Sequence, residues 1–277
     1  MALTRRLFMA GLASWALPSI ATPALMLARD TNLDIDPAGY LVSEKFDGVR
    51  AVWDGRTLRF RSGLPVNAPA WFLARLPAQP LDGELWLQRG QFEILSGIVR
   101  RAVPVDAEWR ALRYQLFDLP DAAGNFAVRA EKIRGVARAT GWPQLLAVPQ
   151  APVADRVALR LRLDEVLRAG GEGLMLHRAD TLWQPGRSTA LLKLKPMHDA
   201  EAIVVGHMAG QGKHAGRLGA LQVRTPQGQE FLIGTGFSDA QRKAPPSEGS
   251  SVTYRFRGLT ATGLPRHASF LRVYQGI

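Results

Sequence analysis

The chain has 277 residues, 47% of them hydrophobic, which is enough for one large or two modest domains with proper cores. Its net charge of +11 favours a polyanionic partner, with nucleic acid ahead of an anionic membrane. The absence of cysteine excludes disulfides, thiolate zinc sites and a cysteine nucleophile.

The first residues have the pattern of an export signal. Arg5 and Arg6 precede an apolar stretch that is too short to span a membrane comfortably, and small residues follow it. We predict a signal peptide over residues 1–28, with cleavage near Ala24 or Ala28, and a soluble mature protein that keeps a net charge of +9 after losing the two arginines. The paired arginines favour the twin-arginine route, and a general secretory signal or an uncleaved anchor are the alternatives.

Lys45 stands at the end of a predicted strand that begins at Tyr40, just before a turn at Asp47-Gly48. A strand end allows a side chain to face a ligand. A lysine amine attacks phosphorus or a carbonyl carbon only when deprotonated, so it needs desolvation or nearby cations such as Arg50. Taken alone, the motif is explained equally well by a surface lysine beside an ordinary turn.

Short strands and helices are predicted from residue 40 to Pro196, after a polar lead-in over residues 29–39. The predicted strands cover residues 40–42, 50–53, 57–60, 80–87, 112–118, 173–177 and 190–195. The predicted helices cover residues 68–76, 92–101, 127–140 and 153–169. This order indicates a mixed α+β domain with an antiparallel bias rather than a regular βαβ series.

Beyond Pro196 the pattern changes to short strands separated by glycine-rich turns. These strands are predicted at residues 202–207, 219–225, 229–234 and 251–256. Their near-regular spacing predicts a small β-barrel, and the OB-fold is the common basic nucleic-acid-binding barrel of this size. We place the domain boundary within residues 196–199.

Two acidic residues and three others are candidate site residues. Glu84 and Glu172 each follow a glycine and precede an apolar run, which favours a metal ligand or a ribose-hydroxyl acceptor, although a solvated turn acid explains either one alone. Lys193 and Lys195 share one face of a leucine-rich strand, so they repel unless an anion lies between them or the face is exposed. Phe117 is a core aromatic by default, with base stacking as the alternative.

Several familiar site patterns are missing from the sequence. It has no P-loop, no Gly-x-Ser-x-Gly and no Rossmann fingerprint. Its five histidines show no metal-ligand spacing, and we expect His177 to be structural.

Taken in order, the motifs resemble those of the covalent nucleotidyltransferases, and within them the minimal ATP-dependent DNA ligases of bacteria. The matching segments are residues 43–50, 61–63, 82–85, 117–118, 172–177, 192–196, 212–219 and 263–266. They cover essentially the whole chain after the signal, and six of them in the family's order are highly specific. The short form with a signal peptide resembles the periplasmic Lig E type.

The resemblance implies an α+β fold in which an adenylation (nucleotidyltransferase) domain of antiparallel sheets and helices, residues 29–197, precedes an OB-fold β-barrel, residues 198–277. It also implies ATP as the adenylate donor, Mg²⁺ or Mn²⁺ as the metal, and nicked double-stranded DNA as the substrate of a periplasmic monomer without a stable protein partner or a membrane in its mature form. Residues 237–250 form only a short turn region, so we expect no DNA-encircling loop and strongly salt-dependent binding.

The resemblance implies a role for each cationic residue of the site. Lys45 would attack the α-phosphate of ATP and carry AMP as a phosphoramidate. Arg50 and Arg61 would hold the phosphate and ribose, and later the 5′-phosphate of the nick. Lys193 and Lys195 would neutralise charge on the α-phosphate, because in-line displacement at phosphorus needs positioned cations and a divalent ion more than an acid–base pair.

The other site residues have roles implied by the same resemblance. Glu44 belongs to the nucleotide-binding motif, Glu84 would contact ribose or metal, Phe117 would stack on adenine, and Glu172 would help to place the divalent ion. AMP would then pass from Lys45 to the DNA 5′-phosphate, and the 3′-hydroxyl would displace it to seal the nick.

Alternative functions remain open at this point. An RNA ligase shares the chemistry, and competition between nicked DNA and nicked RNA would separate the two. A capping guanylyltransferase shares the Lys-x-Asp-Gly core, but the export signal argues against it. NAD as the adenylate donor would require an extra domain and zinc cysteines. A basic DNA-binding protein with an impaired adenylation site is the alternative from another class, and the intact lysine and acidic motifs argue against it.

Overall fold

A computed structural model describes residues 22–260 and 262–274, so residues 1–21 of the predicted signal peptide lie outside it. The strands are β1 (Met26–Thr31), β2 (Tyr40–Glu44), β3 (Val49–Trp53), β4 (Leu58–Phe60), β5 (Leu81–Trp86), β6 (Arg113–Asp118), β7 (Leu145–Ala147), β8 (Ala151–Pro152), β9 (Leu174–Arg178), β10 (Gly186–Leu194), β11 (His198–Ala209), β12 (Leu218–Arg224), β13 (Glu230–Ile233), β14 (Ser251–Phe256) and β15 (Ser269–Val273). The helices are α1 (Ala70–Leu73), α2 (Phe92–Val99), α3 (Asp106–Ala111), α4 (Phe126–Thr140), α5 (Arg156–Arg168) and α6 (Asp239–Lys243).

Each strand and helix predicted from the sequence is present within a few residues of its expected place. The polar lead-in predicted over residues 29–39 includes the end of β1, a strand that the sequence did not predict and that pairs with β10 at the edge of a sheet. Its burial pattern shows no alternation, since an edge strand can keep polar side chains in water while its backbone pairs. The turn region at residues 237–250 also contains the short helix α6.

The contacts divide the chain into two compact units. Of the described residues, the first contains 22–26, 48–148 and 182–186, and the second contains 27–47, 149–181, 187–260 and 262–274. The predicted boundary near residue 197 remains a prediction, and β11 starts at His198. Within the described part of the chain, no helix is long and apolar enough to cross a bilayer.

The first unit is built on the sheet β4-β3-β5-β6-β7, which is antiparallel except for its β6–β7 pair. An aromatic cluster fills its core: the ring of Phe72 meets those of Trp109 and Trp142 edge-on, each at 4.8 Å between centroids. Edge-to-face pairs of this kind add about 0.5–1.5 kcal/mol to the gain from burial. This core supports β3, β5 and β6, which carry the site residues of the unit.

The second unit contains the sheet β1-β10-β9-β2-β8, covered by α5. Leu159, Leu163 and Val166 recur at helical spacing on α5 and pack against the buried residues of β2, β9 and β10. The Asp155 side chain caps the helix by accepting a 2.8 Å hydrogen bond from the backbone N–H of Ala158. The helix therefore holds the three strands that end at the candidate site.

The sheet β13-β12-β11-β14-β15 forms a separate core in the second unit. The strands predicted for the OB-fold are present, and in the described residues they form an open five-stranded sheet rather than a closed barrel. Among the residues that the structure describes, one isolated bridge, between Thr235 and Ser269, links the chain after β13 to β15. The reason is the length of β13: its ladder with β12 ends at Ile233, and the chain beyond it packs on β15 without forming a continuous ladder.

A buried ion pair joins α4 to β6 in the first unit. Arg129 is fully buried, and its Nε lies 2.8 Å from Oδ1 of Asp118. Burial raises the pKa of the Asp118 carboxyl, and the Arg129 guanidinium opposes that rise.

We expect Arg129→Ala to lower the free energy of unfolding by about 3–5 kcal/mol, because it leaves the Asp118 carboxyl buried without its cation. Arg134→Ala on the same helix breaks only an exposed pair with Glu131 and should cost about 0–1 kcal/mol. Urea unfolding measures both values. Equal, small losses in the two variants would contradict a structural role for the buried pair.

Candidate active site

Lys45 lies directly after β2, at the end of the sheet, as predicted. Its backbone N–H donates a 2.9 Å hydrogen bond to the carbonyl of Gly173. The neighbouring residue Glu44 pairs with Leu174, the first residue of β9. The backbone of Lys45 is thus fixed against the start of β9.

Glu172 binds two lysines with one carboxylate. Its Oε2 lies 2.6 Å from Nζ of Lys45, and its Oε1 forms an ion pair with Nζ of Lys195. The strand order β10-β9-β2 explains the meeting, because Lys195 follows β10, Glu172 precedes β9 and Lys45 follows β2 at the same end of the sheet. The structure therefore brings together three of the residues predicted from the sequence.

Gly173 is required by the close approach of β9 and β10. A Cβ atom at this position would lie 2.3 Å from the carbonyl oxygen of Leu194, and its φ of +151° is disfavoured for other residues. Gly173 separates Glu172 from β9 and accepts the backbone hydrogen bond of Lys45. A larger residue would displace the carboxylate from the two lysines.

The carboxyl groups of Glu172 and Asp47 have pKa values shifted in opposite directions. Burial alone would raise the pKa of Glu172, but the ammonium groups of Lys45 and Lys195 outweigh burial and hold it below its usual value. The pKa of Asp47 is raised, first by its partial burial and second by the nearby Glu172 carboxylate. The positive charges of Lys45, Lys195 and Arg266 lower it, but by less. As the pH falls, Asp47 is therefore protonated before Glu172.

Lys193 has a carboxylate partner of its own, which the sequence did not predict. Its Nζ lies 3.5 Å from Oδ1 of Asp30 on β1, and the same oxygen lies 2.9 Å from Nη2 of Arg257. Lys193 and Lys195 are thus each paired with a different acid, so no shared anion is needed to offset their repulsion. Asp30 falls within the stretch predicted to be a lead-in, where nothing marks it as a partner for Lys193.

Arg50 is fixed by a bidentate contact in the first unit. Its Nε and Nη2 lie 2.9 and 2.5 Å from the two carboxylate oxygens of Asp82, which is buried, and its Nη1 donates to the carbonyl of Met26 at 2.9 Å. Burial raises the pKa of Asp82, and the Arg50 guanidinium opposes it. The guanidinium also lies 5.3 Å from the ring centroid of Phe117.

Arg50, Arg61 and Glu84 line one open pocket of about 770 Å³ in the first unit. Gly48 also lines the pocket. A Cβ atom at this position would lie 2.4 Å from the carbonyl oxygen of Leu85, so only glycine lets the chain pass this close to β5. Phe117 contacts Arg50 and does not line the pocket. Its predicted contact with a base remains a prediction.

The predicted metal ligands Glu84 and Glu172 belong to different units. Among the described residues, no three acidic or histidine side chains are grouped so that they could hold a metal ion. Mg²⁺ is commonly bound by one or two carboxylates together with substrate phosphates, and a single carboxylate such as Glu172 fits that mode. A metal there would compete with Lys45 and Lys195 for the carboxylate oxygens.

The chain is similar to known DNA ligases in sequence and in structure. Residues 209–273 match the family described as DNA ligase OB-like domain. A DNA ligase of Haemophilus influenzae is 36% identical over 234 residues, which is 84% of this chain and 86% of that protein. A probable DNA ligase of Anaeromyxobacter dehalogenans is 30% identical, over 81% of this chain and 49% of its own length.

Solved structures give the same result. One from a structure–function study of Lig E DNA ligases is 44% identical, with a TM-score of 0.81, and the match covers 92% of this chain and 100% of the other. The adenylated DNA ligase of Chlorella virus is 22% identical with a TM-score of 0.55, covering 93% of this chain and 100% of the other. At that identity the viral structure shows a shared fold alone.

We expect Glu172→Gln to lower stability at neutral pH by roughly 1–2 kcal/mol, because the amide keeps the shape of the side chain but loses the charge that binds two lysines. The folded-state pKa of Glu172 is depressed, so its contribution is complete above the ordinary value of 4.5 and is lost as the pH falls through the folded-state pKa. Urea unfolding between neutral and acidic pH should therefore show the difference between wild type and variant shrinking with acid.

Glu165→Gln is the matched control, since Glu165 forms an exposed pair with Arg162 on α5 of the same unit. It should change stability by less than about 1 kcal/mol. A difference between wild type and Glu172→Gln that is the same at every pH would contradict the assignment.

Proposed function

The chain belongs to the ATP-dependent DNA ligases of the Lig E type, and we propose that it seals nicks in double-stranded DNA through AMP carried on Lys45. The observation that carries the proposal is the Glu172 carboxylate, which holds Lys45 and Lys195 together at the end of one sheet. An amine and a second cation side by side suit attack on a phosphate, where one forms the bond and the other neutralises charge.

In the first step, we infer that the triphosphate of ATP draws Lys195 and Lys193 away from their carboxylates. Nζ of Lys45, having lost a proton, attacks the α-phosphorus, and the bond from that phosphorus to the bridging oxygen of pyrophosphate breaks. The product is a phosphoramidate on Lys45. Mg²⁺ bound with the phosphates would neutralise charge and polarise the phosphorus, and Glu172, beside Lys45, is a carboxylate that could hold it.

In the later steps, AMP moves to the DNA end. An oxygen of the 5′-phosphate attacks the phosphorus on Lys45, and the phosphoramidate bond breaks to free the amine. The 3′-hydroxyl then attacks the 5′-phosphate and releases AMP. Arg50, whose plane is fixed by Asp82, and Arg61, on the same pocket, are the cations that we propose hold the 5′-phosphate.

We also propose that the protein is exported and works as a periplasmic monomer. Support comes from Arg5 and Arg6 before an apolar stretch. Cleavage after Ala24 would keep β1 whole and retain the Met26 carbonyl that accepts from Arg50, whereas cleavage after Ala28 would remove that carbonyl and the first half of β1. The earlier site is therefore the better candidate.

We expect the intact mass of the purified wild type to rise by one AMP after incubation with ATP and Mg²⁺, and that of Lys45→Ala to stay unchanged. Lys132→Ala is the control, because Lys132 is an exposed lysine of α4 whose Nζ donates only to the carbonyl of Ala123 in the described part of the chain. It should gain AMP like the wild type.

The adenylated protein should then join nicked DNA in preference to nicked RNA when both are offered. Preference for RNA would favour the RNA ligase. Binding of DNA without any adduct or joining would favour a DNA-binding protein with an impaired site. An adduct on Lys45→Ala would contradict the assignment of the nucleophile.

Export can be tested on protein recovered from the periplasm. We expect its first residue to be Leu25 and its mass to include AMP, because the twin-arginine route carries folded proteins and ATP is scarce outside the cytoplasm. Mass spectrometry of the intact protein reads both features. A chain beginning at Arg29, or one that arrives without AMP, would contradict the corresponding part of the proposal.

A further inference from the structure

The pocket of the first unit contains two cations that no acid neutralises. Arg50 is bound by Asp82, but neither Arg61 nor Arg100 has a carboxylate partner anywhere in residues 22–260 and 262–274. Both side chains lie on the surface at the wall of the pocket. Arg100 has no role in the mechanism above, and no sequence motif marked it.

Arg100 is held in place by its own helix. It is the residue at the C-terminal end of α2, and its Nε donates a 3.0 Å hydrogen bond to Oγ of Ser96 one turn earlier. That bond uses one edge of the guanidinium and leaves Nη1 and Nη2 without a partner in the described structure. Asn67, also on the pocket wall, has its Nδ2 3.5 Å from the carbonyl oxygen of Arg101 and so lies close to the end of the helix.

The chemistry of the wall suits a sugar–phosphate strand. Apolar residues such as Val49, Leu64 and Phe92 line the same pocket as the arginines. A guanidinium fork binds phosphate oxygens in pairs, and an apolar wall accepts the carbon face of a sugar. A DNA strand presents phosphates at regular intervals, so one strand can satisfy Arg61 and a second cation at once.

We propose that Arg100 contacts a backbone phosphate of the nicked strand next to the phosphate held by Arg61. The inference rests on the function proposed for Lys45 and adds a DNA contact away from the reacting phosphorus. The contact positions DNA and leaves the transfer of AMP to the enzyme unchanged.

Arg101 is a matched control that the chain itself supplies. It is the next residue and has a half-exposed side chain, so its removal subtracts the same charge from the same part of the surface. Its Nη2 is paired with Glu108 at 2.9 Å, and it does not line the pocket. Any difference between Arg100→Ala and Arg101→Ala therefore reports the local contact rather than the net charge.

The test measures binding of a labelled duplex with one 5′-phosphorylated nick, by anisotropy over a series of salt concentrations. The full-length mature protein is used, with and without prior incubation with ATP. For Arg100→Ala we expect binding weaker by roughly threefold to tenfold at low salt, and a slope of log Kd against log salt that is smaller by about 0.9, because one phosphate contact is lost. Arg101→Ala should keep the wild-type slope, and Arg100→Lys should recover part of the affinity.

Self-adenylation is measured on the same proteins and should proceed at the wild-type rate in both alanine variants. If Arg100→Ala has the affinity and slope of Arg101→Ala, the inference is overturned while the role of Lys45 stands. If instead Arg100→Ala raises the KM for ATP and binds DNA normally, the pocket takes the nucleotide and the inference is equally overturned. Failure of the wild type to adenylate would refute the proposed function separately. The binding measurement on protein not incubated with ATP would still show whether Arg100 contacts a DNA phosphate.

Discussion

The arrangement of the second unit depends on one carboxylate shared by two ammonium groups. Glu172 holds Lys45 and Lys195, which like charge would otherwise drive apart, at a site that is only partly exposed. The glycine after it lets three strands end close enough for this contact. The same carboxylate must release both lysines when a polyphosphate arrives, so the contact orders the site before reaction and is exchanged for substrate during it.

The first unit solves a similar problem with a different geometry. Asp82 is buried and fixes the plane of the Arg50 guanidinium through two parallel hydrogen bonds, and the ring of Phe117 lies against that plane. A lysine could not be oriented in this way, because its ammonium is a point charge on a flexible stem. Each unit thus presents cations whose positions are set by an acid inside the same unit.

The sequence predicts the elements of this site better than their partners. Lys45 is visible because it ends a predicted strand just before a turn, Glu172 because it lies between two glycines before an apolar run, and the order of the motifs brings in Lys195. Asp82 lies inside a predicted strand, and only the pairing of β3 with β5 shows that it is buried against Arg50. Asp30 could not be predicted as a partner of Lys193 for a similar reason. Its segment is polar, and it forms a strand only by pairing with β10. The strands of the OB-fold were predicted from their spacing, but the open edge of their sheet was not, because spacing does not show where a ladder stops.

The pairing of β1 with β10 sets an order for folding. Ala28 on β1 accepts a hydrogen bond from Arg187 on β10, which is 159 residues later in the chain. The sheet that carries Lys45 therefore cannot be completed until most of the protein has left the ribosome, and closing so long a loop makes this a slow, late event. The first strand to be synthesised waits for one of the last parts of its sheet, and during that time its unpaired edge is open to association with other chains. A cell that exports the folded protein would need to delay export, or shield β1, until β10 has been made.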